Sequence, residues 1–394
     1  MLLSLALSCT SPEPTPPLEQ EESASEGHWT KLDTLAFGHA DHTATMLPGQ
    51  QIIVLGGFSD KVERVDVPAR RIRAASPLPQ ARMNHAAAAL PDGRLIVAGG
   101  EVYDRDTRER TATNTVLIWD PETDTWSDGP ALSTVRVDFT LSPYGDGVIA
   151  IGGKDGEGAV LGRTAVLAAG AWLEGPAVSP RHGHDVDAWR GGLVITGGRD
   201  GDPVGLVEHI VEGRTKLLAT LSPPRADQVT LVLDDDSLMV IGGDDGTDVL
   251  ADVDQLVDGQ WVALTPLSHP RSQHGAGQVA DGRVVVFGGR PVVASPDALP
   301  IRDVEIYEAD GAWREANRQV QARYEGVTLP LEDGRVLVAG GNSRGKVILE
   351  VSVYSPEPKP PRVKQPEDTA PPEPAEPSEP SERPPAPPGL PPGI

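Results

Sequence analysis

Short apolar runs alternate with polar turns along most of this chain, and the runs keep ending on the same mark. Seven of them close on a pair of glycines: Gly56-Gly57, Gly99-Gly100, Gly152-Gly153, Gly197-Gly198, Gly242-Gly243, Gly288-Gly289 and Gly340-Gly341. Successive pairs lie 43, 53, 45, 45, 46 and 52 residues apart. A fixed period of this length marks an array of supersecondary units. The clearest copies are RMNHAAAALPDGRLIVAGG (82–100), RSQHGAGQVADGRVVVFGG (271–289) and RYEGVTLPLEDGRVLVAGG (323–341).

One unit can be read strand by strand. From Arg82 a run of small apolar residues leads to Pro91-Asp92-Gly93, a turn in which glycine supplies the positive φ a tight hairpin needs. The next run, Leu95-Ile96-Val97-Ala98, is apolar at consecutive positions. Both of its faces must then be covered, which predicts a sheet packed between two others. A third run, Val116-Leu117-Ile118-Trp119, is followed by Asp120-Pro121, and Trp126 marks a fourth strand. The prediction is an all-β chain with four strands per unit.

These landmarks, recurring in one order over residues 28–355, resemble the kelch repeat. The resemblance implies a seven-bladed β-propeller. Trp29 precedes the first complete unit, whereas the seventh unit runs from Arg323 to Tyr354 without a Trp. Residues 28–35 are therefore expected to supply the fourth strand of the last blade, which closes the ring and removes its exposed edges. Blades 1 and 4 lack the outer Trp, and blade 4 has Lys216-Leu217-Leu218 in its place.

Candidate chemistry sits at one recurrent place. Each unit opens on an arginine, Arg82, Arg136, Arg181, Arg225, Arg271 or Arg323, with His39 in that slot of the first. Three residues later come His42, His85, Phe139, His184, Gln228, His274 and Gly326. Repetition around an axis would turn these slots into rings at one mouth of a central channel, and arginine offers a planar fork of donors for anions. The kelch resemblance implies that arginines at this position grip acidic peptide motifs. The competing expectation is pairing with local acids such as Asp60, Asp155, Asp200, Asp244 and Asp245, which follow the diglycines. Four histidines on different blades are too dispersed for one tetrahedral metal site, so no metal or cofactor is expected. Asp244-Asp245-Gly246-Thr247-Asp248 lacks the ligand series of a calcium loop and reads as a solvated turn. The two longer spacings locate insertions at 101–115 and 290–300, and loops on a rigid scaffold are where recognition resides.

The ends differ in kind from the repeats. Residues 1–9 form an apolar stub ending on the sole cysteine, Cys9, which resembles a bacterial lipoprotein signal with Cys9 as the lipidated residue. It departs from that pattern in being short and in lacking a basic start. Residues 10–27 read as a Pro/Glu-rich linker, and 356–394 as a Pro-rich disordered tail. The expectation is an exported, lipid-anchored protein of the cell envelope, outer membrane if Gram-negative, and a monomer.

A net charge of −24 argues against nucleic acid as a partner. Two function classes stand. One is a non-enzymatic propeller whose arginine-ringed mouth binds an acidic protein, peptide or glycan. The other is a carbohydrate-active enzyme of the sialic-acid epimerase type, for which Glu325 beside Arg323 is the carboxylate to test. The resemblance also covers galactose oxidase, whose modified tyrosine needs a cysteine within the propeller; Cys9 lies outside it.

Overall fold

The computed structural model describes residues 27–38, 42–104, 106–293, 298–316, 319 and 321–356. Cys9, the linker, His39 and the Pro-rich tail fall outside the described residues. Within them all regular structure is strand.

Seven four-stranded antiparallel sheets follow one another along the described chain. Their opening hairpins are His42–Leu47 with Gln51–Gly56, Ala86–Ala89 with Leu95–Ala98, Thr140–Tyr144 with Gly147–Ile151, and Asp185–Trp189 with Gly192–Thr196. Val229–Val232 with Leu238–Ile241, Gly275–Gln278 with Val284–Phe287, and Val327–Pro330 with Val336–Ala339 complete the series. In the first six sheets a third and a fourth strand add in sequence order. The seventh takes Glu350–Ser355 as its third strand, and its fourth is His28–Thr34 from the other end of the chain.

Why the second strands are apolar throughout is visible in the cores. Ile53 and Leu55 of the first sheet pack with Leu95, Val97 and Trp119 of the second. Their strand neighbours Ile52 and Val54 pack the opposite way, with Leu337, Ala339 and Val351 of the seventh. Strand periodicity sends successive side chains to opposite faces, so one run of four or five apolar residues feeds two cores. The same division recurs at every step: Ile96 with Val148, Ile149 with Ile195, Val194 with Val240, Ile241 with Val286, and Val285 with Val338.

Outer tryptophans add a second link between neighbours. The indole N–H of Trp126 donates to the Ser76 carbonyl just past the first sheet, Trp172 to Pro130 past the second, and Trp313 to Thr265 past the fifth. Where the fourth sheet lacks this residue, its Arg214–Thr220 strand is longer and its pairing shifts register between Val207 and Glu208.

One expectation needs correction. The first strands do not begin at the arginines but four residues later, at Ala86, Thr140, Asp185, Val229, Gly275 and Val327. The cause is the residue between: Asn84, Asp138, Gly183, Asp227, Gln273 and Glu325 all have φ between 51° and 60°, a left-handed conformation that breaks a strand.

Trp29 stands edge-on to Phe287 and Tyr354, at 5.0 and 5.4 Å between ring centroids, tying the N-terminal strand to the sixth and seventh sheets. Trp29→Ala is expected to cost about 2 kcal/mol, and deletion of residues 28–34 considerably more, both read by thermal unfolding. An unchanged melting temperature after the deletion would contradict the shared sheet.

Candidate functional site

The six arginines do not present open guanidinium forks. Arg82, Arg136, Arg181, Arg225, Arg271 and Arg323 are all buried, with at most 3% exposure. Nη1 of Arg82 donates to the carbonyl of the first glycine in its own sheet, Gly99, at 3.0 Å. Arg136, Arg181, Arg271 and Arg323 do the same to Gly152, Gly197, Gly288 and Gly340. A second carbonyl ahead of or at the start of the third strand is also capped: Thr115, Arg163, Leu206, Asp252, Asp303 or Glu350. Arg225 departs from its siblings, reaching Asp252 and Pro223 with no bond to its diglycine.

Acid pairing completes four of the six. Arg181 pairs with Glu208, Arg225 with Asp254 at 2.7 Å, Arg271 with Glu305 and Arg323 with Glu350 at 3.4 Å. These carboxylates lie in third strands, 27, 29, 34 and 27 residues after their arginines, not in the loops after the diglycines. Sequence reasoning passed over them. The signal was there, as an acid within the first three residues of the third strand in each of these four units. Among the described residues Arg82 and Arg136 have no acid partner, and burial pushes them and Arg323 down to about 10, still charged at neutral pH. The crown of ligand-binding arginines is thus corrected: the six guanidinium groups are buried and turned to backbone carbonyls, because a strand end and a diglycine leave buried carbonyls that require partners.

The arginine carbonyls face the other way. They accept the N–H of the second glycine of the preceding sheet: Gly100 from Arg136, Gly153 from Arg181, Gly198 from Arg225, Gly243 from Arg271 and Gly289 from Arg323, at 2.8–3.1 Å. At this closeness no side chain fits. A Cβ on Gly99 would strike the Arg136 carbonyl and the Phe139 ring, and both Gly99 and Gly100 have positive φ.

The slot three residues on is filled for the same reason. His85 covers Gly56, Phe139 covers Gly99, His184 covers Gly152, Gln228 covers Gly197, His274 covers Gly242 and His42 covers Gly340. His85 and His184 also meet the Thr43 and Thr140 hydroxyls of the preceding sheet at 2.9 and 3.1 Å. Burial pushes His184 and His274 down to about 3, so they are neutral packing groups. Among the described residues no three His, Cys, Asp or Glu side chains converge as a metal site.

Polar groups reach solvent one position earlier and just past the diglycines. Asp138 meets Lys154 at 3.4 Å, Asp227 meets Arg199 at 3.2 Å, and Asn342 donates to Glu325 at 2.8 Å. Arg199 also holds Asp244 at 2.6 Å. Of the remaining loop acids, Asp155 and Asp245 cap their own turns, whereas Asp244, at the head of the segment read as a solvated turn, is buried. Asp60 lies 3.6 Å from Lys61, and Asp200 closes a two-residue strand pair. The first insertion folds as a hairpin, Glu101–Tyr103 with Arg110–Ala112. Its Tyr103 meets Phe58 of the first sheet edge-on at 5.4 Å, and the Arg110 guanidinium lies 5.1 Å from the Phe58 ring. Phe58 is 41% exposed.

Residues 82–133 match the family model of the kelch motif. That segment carries a kelch motif. Kelch-like protein 36 of Bos taurus is 30% identical over 146 residues, which is 36% of this chain and 23% of that protein. Kelch-like protein 13 of Homo sapiens is 27% identical over 126 residues, 30% of this chain and 19% of that one. The chain thus spans about a quarter or less of the length of these curated relatives. Among solved structures, a fungal alcohol oxidase of the AA5 family in complex with copper superposes with a TM-score of 0.67 at 16% identity, over 84% of this chain and 76% of its own. The structure of YjhT gives 0.58 at 14% identity, over 72% and 99%. These likenesses concern the fold, which is propeller-like.

In this array the buried ion pairs make a firm prediction. Arg271→Met would strand Glu305, which is 0% exposed, and is expected to cost about 3–5 kcal/mol in denaturant unfolding; a loss under 1 kcal/mol would show that the arginine is dispensable to the fold. A second concerns pH. The unfolded chain protonates His274 near its ordinary value of 6.5, whereas the folded chain resists until about 3. Stability is therefore present above 6.5 and lost as pH falls, by up to about 1.4 kcal/mol per pH unit. His274→Gln, the residue in the equivalent slot of the fifth sheet, should flatten the stability-against-pH curve between 6.5 and 3 relative to the parent. An identical slope would refute the buried neutral imidazole.

Proposed function

We propose that the seven sheets are the blades of one closed, seven-bladed kelch-type β-propeller that acts as a binding protein. Support for closure comes from the core shared by Val54 and Leu337 and from His42 over Gly340, which join the first sheet to the seventh as each other sheet is joined to the next. The binding face is the mouth that carries the post-diglycine loops.

The observation that carries the reading is the Phe58, Tyr103 and Arg110 cluster. An exposed Phe58 under a guanidinium, set edge-on to the half-buried Tyr103 of the hairpin, has the composition of a protein-binding hot spot. Its ligand is a protein or peptide segment pairing an apolar residue with an acidic one. This transfers anion recognition from the repeat arginines, which are buried, to Arg110 at the rim. The reading extends to a monomer exported to the cell envelope and tethered through Cys9, a proposal that rests on the sequence of residues 1–27 alone.

The test is an acidic-peptide panel beside a glycan array, probed with the full chain and with a Phe58→Ala, Tyr103→Ala, Arg110→Ala variant. Peptide hits that weaken at least about tenfold in the variant, yet persist in Leu173→Ala on the outer strand of the third sheet, are expected. Glycan hits without peptide hits, or peptide hits untouched by the triple change, would count against it.

A further inference from the structure

A cavity of about 780 Å³ lies between the first strands of the fourth to seventh sheets, a size suited to a small molecule. Its walls carry Asp185, Asp187, Asp227, Asp234 and Glu325, and among the described residues lining it none is Lys or Arg. His184 and His274 also line it and are uncharged at neutral pH. Arg199 and Arg290 stand near its mouth: Arg199 is committed to Asp227 and Asp244, and Arg290 reaches Gln273 at 3.5 Å and acts on Asp227.

We propose that this chamber binds an organic cation, an alkylammonium or guanidinium group, through the Asp185 and Asp187 carboxylates. Being two residues apart on one strand, the pair shares a face. Their states differ. Asp185 accepts the backbone N–H of Thr230 across the sheet boundary at 2.8 Å and that of Val186 at 3.1 Å. Oδ2 of Asp187 is sealed from solvent and accepts no hydrogen bond among the described residues. A buried carboxylate oxygen without a donor is costly, so this aspartate in the chamber wall asks for a guest that brings N–H donors. Burial raises both aspartates above the usual carboxylate range, Asp187 further because Asp185 stands beside it. An entering cation favours the ionised form of such a crowded pair and so lowers its hold on protons. The stem of an alkylamine would lie against Val229, Leu231 and Ala276, which share the wall. A divalent metal is the weaker fit, since no three ligand side chains converge among the described residues.

This inference is independent of the rim cluster, which lies on the first and second sheets. It is tested by calorimetric titration of the full chain with 1,5-diaminopentane, with agmatine and with calcium chloride, each in two buffers of different ionisation heat. Saturable binding of at least one amine, with protons released to the buffer, is expected, along with at least about a tenfold loss of affinity in Asp187→Asn. The variant's melting curve shows that it folds, and the Phe58/Tyr103/Arg110 variant should bind the amine as the parent does. The assignment is overturned if neither amine binds, if calcium alone binds, or if Asp187→Asn keeps the parent's affinity.

Discussion

Four of the diglycines, Gly99-Gly100, Gly152-Gly153, Gly197-Gly198 and Gly288-Gly289, are gripped from two sides, and the arrangement of the sheets depends on that grip. The guanidinium of the arginine in the same sheet caps the first glycine's carbonyl, as Arg181 does for Gly197 at 2.9 Å. The backbone carbonyl of the next sheet's arginine takes the second glycine's N–H, as Arg225 does for Gly198 at 3.1 Å. One residue type thus fastens its own sheet internally and the preceding sheet externally. Hydrogen bonds to a charged group contribute about 1.5–3 kcal/mol each, and a buried donor or acceptor left alone costs a similar amount. An arginine holding two or three such bonds at 0–3% exposure cannot release them to a ligand without loosening the junction.

The other features of the repeat follow from this junction. Glycine is required because the neighbouring carbonyl stands where a Cβ would be, and the left-handed residue two past the arginine turns the chain from the junction into the first strand. In six of the seven sheets a side chain from this slot covers a first glycine, and His, Phe and Gln all serve. That tolerance explains why the slot varies, and burial keeps His184 and His274 neutral. What remains for recognition are the positions the junction does not consume: the insertions, the residues after the diglycines, and the inner faces of the first strands. On the inner faces small residues such as Gly275, Ala276 and Gly277 leave room, and Asp185 and Asp187 supply charge.

Much of this was legible before any coordinates. The doubly apolar second strands predicted sheets covered on both faces, and the missing Trp of the last unit placed residues 28–34 in the seventh sheet, where they pair with Glu350–Ser355. The arginine slot was found but its role was misjudged. Repetition says where a side chain recurs, whereas its direction depends on the φ of Asn84, Asp138 and their equivalents, which sequence does not display. The partners Glu208, Asp254, Glu305 and Glu350 were missed because acids were sought in loops, although a buried guanidinium draws a carboxylate into a strand. Asp185 and Asp187 were missed for the complementary reason: without the strand's true start, their shared inward face could not be assigned.

Native-state hydrogen exchange at the second glycines tests the account most directly. If the junction holds the sheets together, the amides of Gly100, Gly153, Gly198, Gly243 and Gly289 should exchange only through unfolding of the whole array, as slowly as the second-strand amides. Exchange at those glycines as fast as in the exposed turns would contradict it.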